Sequence, residues 1–177
     1  MTEWGPGLTD SQLEEAEERY GVRFPPDMIE LYREQWPIEA YDWSKEDPRI
    51  REMLAWPLDM LTWHVEHGSW WTEWGEKPTD QRAREKIVRD AVAAAPRLIP
   101  IYLHRFIPES PNEPGNPVFS MHGFDTIYYG TTLEEYLARE FRDDRSRPPD
   151  PLRGPFRYIP LWSDLSAQDE RSIWSES

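Results

Sequence analysis

The chain has 177 residues, enough for one domain that buries about 70% of its unfolded surface without covalent staples. It contains no cysteine, which excludes disulfides, thiolate zinc sites, iron–sulfur clusters and Cys nucleophiles. With 34 acidic and 20 basic residues its formal net charge is −14, a field that repels phosphate backbones and draws in basic partners, so nucleic acid is not an expected partner. The N-terminal MTEWGPGLTD has neither the basic start nor the apolar run of a signal peptide, and no window approaches the roughly 20 apolar residues of a membrane span. The expectation is a soluble cytoplasmic protein without membrane contact. The 10 tryptophans exceed what one small core readily hides, and exposed Trp is enriched at interface hot spots.

In chain order, residues 1–7 lack periodicity and read as a flexible lead-in. Thr9 with Gln12 forms a capping box, Leu8 and Leu13 a hydrophobic staple, and Gly21 supplies the left-handed stop of a first helix. Pro26 opens a second helix carrying Ile29, Tyr32 and Trp36, ended by Pro37. Tyr41 and Trp43 alternate as in a short strand. Asp47 and Pro48 cap and start a third helix that Pro57 breaks or restarts, with Leu58, Leu61 and Val65 on one face up to Gly68. His64 and His67 stand three apart with Glu66 between them, which is not the zinc-protease spacing, and they read as surface or helix-end histidines. The segment GSWWTEWGEKP is punctuated as a loop. Its Trp70, Trp71 and Trp74 either cap one end of the core or form a recognition patch. A helix from Thr79 and Asp80 follows, with Ala83, Ile87, Ala91 and Ala94 on its buried face and Arg82, Arg84, Lys86 and Arg89 outside.

Residues 99–104 alternate with period two, and Pro100 places them at a strand start or a sheet edge. Residues 108–117 form a turn region, residues 118–122 a second strand and residues 126–129 a third. Thr132 and Glu135 then make another capping box, opening a helix with Leu133, Tyr136, Leu137 and Phe141 on its buried face. Residues 142–157 are charged and Pro-rich and read as an exposed connector. Residues 158–162 can return as an edge strand, before a tail over 166–177. The fold class is therefore α+β: one domain over residues 8–165, with a small mostly antiparallel sheet packed against several helices.

Two stretches carry a family resemblance. The opening LTDSQLEEAEERYGVRFPPDMIELYRE and the central LIPIYLHRFIPESPNEPGNPVFSMHGFDTIYYGTTLEEYLAREF resemble Smi/Knr-like domains of the SUKH superfamily. The signature positions are Gly115, Asn116, Pro117, Val118, Phe119, Ser120, Asp125, Ile127, Tyr128, Tyr129, Gly130, Tyr136, Glu140 and Phe141, preceded by Trp71, Trp74, Gly75 and Pro78. The likeness covers about residues 8–141; IPLWSDL at 159–165 is similar to the family's final strand, and Gly123 and Phe124 depart from it. The resemblance implies a structural role for Gly115, Asn116, Pro117, Asp125, Tyr128, Tyr129 and Gly130. It also implies a non-enzymatic, cofactor-free protein that binds a protein partner, most often an immunity protein neutralising a basic toxin domain such as a nuclease, or alternatively a regulator or scaffold for a cellular partner. The candidate contact residues are Trp70, Trp71 and Trp74 as aromatic anchors, with Glu14, Glu15, Glu17, Glu18, Glu109 and Glu113 as the acids that steer.

Read for chemistry alone, His104, Arg105, His122, Asp125 and Glu140 stand out, because paired strands can bring two histidines and a carboxylate together as a metal triad or acid–base set. The competing reading is structural, in which His104 and Arg105 hydrogen-bond the 108–117 turn. Ser120 lacks a nucleophile-elbow context and no phosphate-binding glycine loop is present. Neither catalytic residues nor metal ligands are assigned, and a small metal-dependent hydrolase on His104, His122 and Asp125 is the lesser alternative.

Overall fold

Capping chemistry sets most helix boundaries. In α1 (Asp10–Tyr20) the Gln12 amide donates to the Thr9 hydroxyl (3.2 Å) and the Thr9 amide donates back to the Gln12 carboxamide (2.9 Å); Gly21 ends the helix at φ +62°. Helix α2 (Pro26–Glu34) starts with proline at its first turn. It stops short of Trp36, because the chain passes into an extended strand there. That strand, β2 (Gln35–Pro37), pairs antiparallel with β1 (Trp4–Pro6), so residues 4–6 of the expected lead-in are ordered. The contact is close: the Leu8 amide donates to the Tyr32 carbonyl (2.7 Å), and a Cβ on Gly7 would lie 1.8 Å from the Arg33 carbonyl oxygen.

This computed structural model describes residues 4–37, 40–142, 150–152 and 154–172, the side chains of 168–172 excepted. Residues 1–3 of the lead-in, 143–149 and 153 of the connector, and 173–177 of the tail lie outside the described residues. Tyr41 and Trp43 are buried in a turn segment, not a strand. Asp47 caps α3 (Pro48–Glu66), which runs unbroken through Pro57. Proline removes one intrahelical bond there, and burial of Ile50, Pro57, Leu61 and Val65 on both sides of the gap holds the helix together. Asp80 caps α4 (Gln81–Ala94), accepting from the Ala83 amide at 2.9 Å.

The main sheet has four strands where the sequence pattern suggests three. Strands β3 (Leu98–Tyr102), β4 (Arg105–Pro108), β5 (Val118–Ser120) and β6 (Ile127–Gly130) lie in that spatial order, all antiparallel. Residues 99–104 are thus a strand plus a hairpin turn. Tyr102 pairs with Arg105 across Leu103 and His104, and Leu103 sits at φ +48°. Hairpin loops of two residues need positive φ and usually advertise it with Gly or Asn; here Leu takes the place, and the turn is invisible in the sequence. Pro100 lies on the edge strand β3, as expected.

Both faces of this sheet are covered. Ile99, Ile101, Ile107 and Val118 join Leu13, Ala16, Met28, Tyr32, Leu133 and Tyr136 in one core cluster beneath α1, α2 and α5 (Leu133–Glu140). Leu98, Phe106, Phe119 and Met121 join Leu61, Val65, Val88, Trp162 and Leu165 in a second, beneath the rest of α3, α4 and α6 (Trp162–Ser172). The expected terminal edge strand is therefore a helix start. The Ser163 hydroxyl accepts from the Ile159 amide (2.7 Å) and Asp164 from the Leu161 amide (3.1 Å), caps that turn the chain into α6. Nor is the end of the connector exposed throughout: Phe156 stacks on Tyr128 with ring centroids 4.1 Å apart. The architecture is α+β, with a two-stranded and a four-stranded antiparallel sheet among the described residues, and none of their helices is long and apolar enough to cross a membrane.

Candidate functional site

On α2, Asp27, Glu30, Leu31 and Glu34 recur at helical spacing and share one stripe. On α5, Leu133, Glu134 and Leu137 do the same. The two helices line a groove of about 350 Å³ with Leu31, Leu133 and Leu137 as its floor and the four carboxylates as its rim. Asp27 is engaged internally, its carboxylate accepting from the Gly115 amide at 3.0 Å. Glu30, Glu34 and Glu134 are exposed, and no basic group among the described residues pairs with them. An apolar floor under an unneutralised acidic rim suits a basic amphipathic segment.

The acids singled out from sequence divide in two. Glu14, Glu15 and Glu18 are exposed on α1, with Arg19 3.8 Å from Glu15. Glu17 instead accepts from the Phe24 amide (2.7 Å) and Glu109 from the Arg23 amide (3.1 Å), so both hold the α1–α2 junction, while Glu113 lies 3.7 Å from Arg157. Trp70, Trp71 and Trp74 are half-buried, edge-to-face at 5.5 and 5.4 Å, and packed on the second core cluster. Theirs is the core-capping arrangement. Among the described residues, Trp63 is 50% exposed and stacked on His67 at 4.0 Å, and Tyr158 is 60% exposed; for Trp63, its position off the Leu58, Leu61 and Val65 face was the available signal.

Several of the signature residues make contacts inside the fold. Buried Asn116 donates to the carbonyls of Pro108 (3.0 Å) and Pro111 (2.8 Å) and accepts from Arg157 (2.7 Å), beside Gly115 at φ +88° and buried Pro117. These bonds, not His104 and Arg105, tie down the 108–117 turn. Tyr128 donates to Ser163 (2.6 Å), and a Cβ on Gly130 would meet the Tyr136 Cβ at 2.7 Å. Arg105 donates to Ser120 (2.9 Å) and Glu140 (3.3 Å) and lies 3.8 Å from the Tyr129 ring centroid. This half-buried cation is fully engaged as a staple between sheet and α5.

The residues flagged for chemistry thus separate. Arg105 and Glu140 belong to the staple. Exposed His122 and Asp125 instead meet His64 of α3, a residue the sequence reading left on the surface: one ring nitrogen of each histidine and a carboxylate oxygen lie within 4.8 Å of one another. His104 is 6.4 Å from His122 between ring centroids, but its Nε2 accepts from the Arg105 guanidinium at 2.5 Å. Burial and that neighbouring cation hold His104 below the usual imidazole range, so it is a poor proton carrier; with Nε2 taken by the guanidinium and a permanent positive charge beside it, His104 is also a poor metal partner for His122 and Asp125. Compared with known proteins, the chain matches no family model, no curated protein and no solved structure.

Proposed function

We propose that this chain is a non-enzymatic protein-binding module of the Smi/Knr-like kind, an immunity protein that captures and neutralises a basic toxin domain such as a nuclease. The observation that carries the reading is the groove between α2 and α5, where Glu30, Glu34 and Glu134, which no basic group among the described residues pairs with, surround Leu31, Leu133 and Leu137. A nuclease presents a basic cleft to its substrate. A net charge of −14 draws that cleft in over a Debye length, and the leucine floor supplies desolvated contact once the surfaces meet. Exposed Glu14, Glu15 and Glu18 on α1 extend the steering field without needing to touch the partner.

The test starts from the gene neighbourhood, where the reading expects a basic toxin domain encoded immediately upstream, and continues with inhibition of and binding to that domain; a neighbourhood of metabolic genes alone counts against immunity. The expected result is a complex whose association slows as salt rises. The combined E30K, E34K and E134K variant should bind at least about 100-fold more weakly, from like-charge repulsion at three positions. Absence of a complex at low salt, or unchanged affinity in the variant, refutes the groove as the binding surface.

A further inference from the structure

We propose that His64, His122 and Asp125 form a binding site for a divalent transition-metal ion of the zinc class, joining α3 to the turn between β5 and β6. The site is independent of the acidic groove, and either can fail without the other.

The local fold brings these three together. His122 precedes and Asp125 ends a 3₁₀ turn (Gly123–Asp125) closed by the Asp125 amide on the His122 carbonyl (3.1 Å) and by the Thr126 hydroxyl on the Gly123 carbonyl (2.6 Å). Gly123, at φ +62°, lets the turn approach α3 so closely that a Cβ there would lie 3.0 Å from the His64 ring. His64 is thereby fixed, while His122 and Asp125 are exposed and able to adjust. Ligands on tetrahedral zinc stand about 3.4 Å apart at Zn–N and Zn–O lengths near 2.1 Å, so the 4.8 Å cluster closes on an ion with small side-chain rotations.

The donor set selects the ion. Two imidazoles and one carboxylate suit zinc, cobalt, nickel or copper and disfavour magnesium and calcium, which take oxygen ligands. The Phe124 amide approaches the His64 Nδ1 at 3.4 Å, too long for more than a weak bond, so little is lost if that nitrogen turns to the metal. All 4 histidines of the chain also lie in one run of ring contacts, His67 to Trp63 to His64 to His122 to His104. The outer two are not counted as ligands: His104 accepts from a cation and His67 is turned onto Trp63. Three protein ligands leave one coordination position for water or for a partner's side chain.

The experiment is titration of the untagged full-length chain, first stripped with chelator, with Zn²⁺ by calorimetry and with Co²⁺ by visible absorption. One ion should bind per chain, with the absorption bands of a low-coordinate cobalt site. The exposed-residue variants H122A and D125N should each weaken binding at least about tenfold, and H67A should leave it unchanged. Wild-type protein that binds zinc no more tightly than H122A, or a loss in H67A equal to that in H122A, overturns the site. Far-ultraviolet circular dichroism of each variant distinguishes a lost ligand from a lost fold.

Discussion

Asp47 shows how much one side chain settles. Its carboxylate caps α3 through the Arg49 amide (3.0 Å), accepts from the Asp42 amide (3.1 Å) and pairs with the Arg49 guanidinium (2.7 Å), while its own amide donates to the Tyr20 hydroxyl (2.8 Å). The Arg49 bond is the chief reason the carboxyl is held below its ordinary range, against the opposing effect of burial. A depressed folded-state pKa contributes stability that is fully present above the unfolded value near 3.9 and is lost as pH falls through the folded value. D47N keeps a competent cap but loses the charge, so urea denaturation should show a cost of about 1 to 2 kcal/mol at pH 7. That cost should shrink toward zero in acid below the folded pKa; a constant difference down to pH 2 would refute the assignment. Such caps were legible in the sequence because they are local, as with Thr9 and Gln12. Leu103 was not, because only pairing of Tyr102 with Arg105 forces its positive φ.

At the scale of elements, α6 separates what a pattern suggests from what contacts decide. The run IPLW alternates well enough for an edge strand, yet Ser163 and Asp164 supply caps that begin a helix at Trp162. The Trp162 indole is buried against the second cluster and donates to the Pro96 carbonyl at 2.6 Å. W162A removes the packing and orphans that carbonyl, and chemical denaturation should show a loss of about 3 to 5 kcal/mol. A loss below about 1 kcal/mol would mean that α6 is peripheral to the fold. Pro57 makes the converse point, since a residue that ends helices in general is carried through α3 by burial on both sides.

Across the whole molecule, the four-stranded sheet is shared between two apolar clusters, with Ile99 and Ile107 on one face and Leu98 and Phe106 on the other. Neither cluster can lose its sheet face without uncovering the other. Tryptophan fluorescence and far-ultraviolet circular dichroism should therefore report one coincident unfolding transition. Two separated midpoints would show that the clusters unfold independently. The same packing fixes the surface, because α2 and α5 turn Leu31 and Leu137 partly toward the core and leave Glu30, Glu34 and Glu134 outside.

By itself the sequence determined the α+β class, most helix starts and the acidic field, since capping, periodicity and net charge act over a few residues or add up over the whole chain. Gly115, Asn116 and Gly130, singled out in the sequence through the family resemblance, stand where the fold has a left-handed turn, a buried amide bonded to two carbonyls and a close approach to Tyr136. Only the tertiary structure decided which carboxylates are free. Glu17 and Glu109 look like Glu14 and Glu18 in sequence, yet the α1–α2 junction claims the first pair, through the Phe24 amide for Glu17 and, 86 positions away in the chain, the Arg23 amide for Glu109. It also decided that His64 meets His122 and Asp125, which stand 58 and 61 positions further along the chain. Side chains that far apart are brought together by how α3 packs on the β5–β6 turn, which no local pattern encodes.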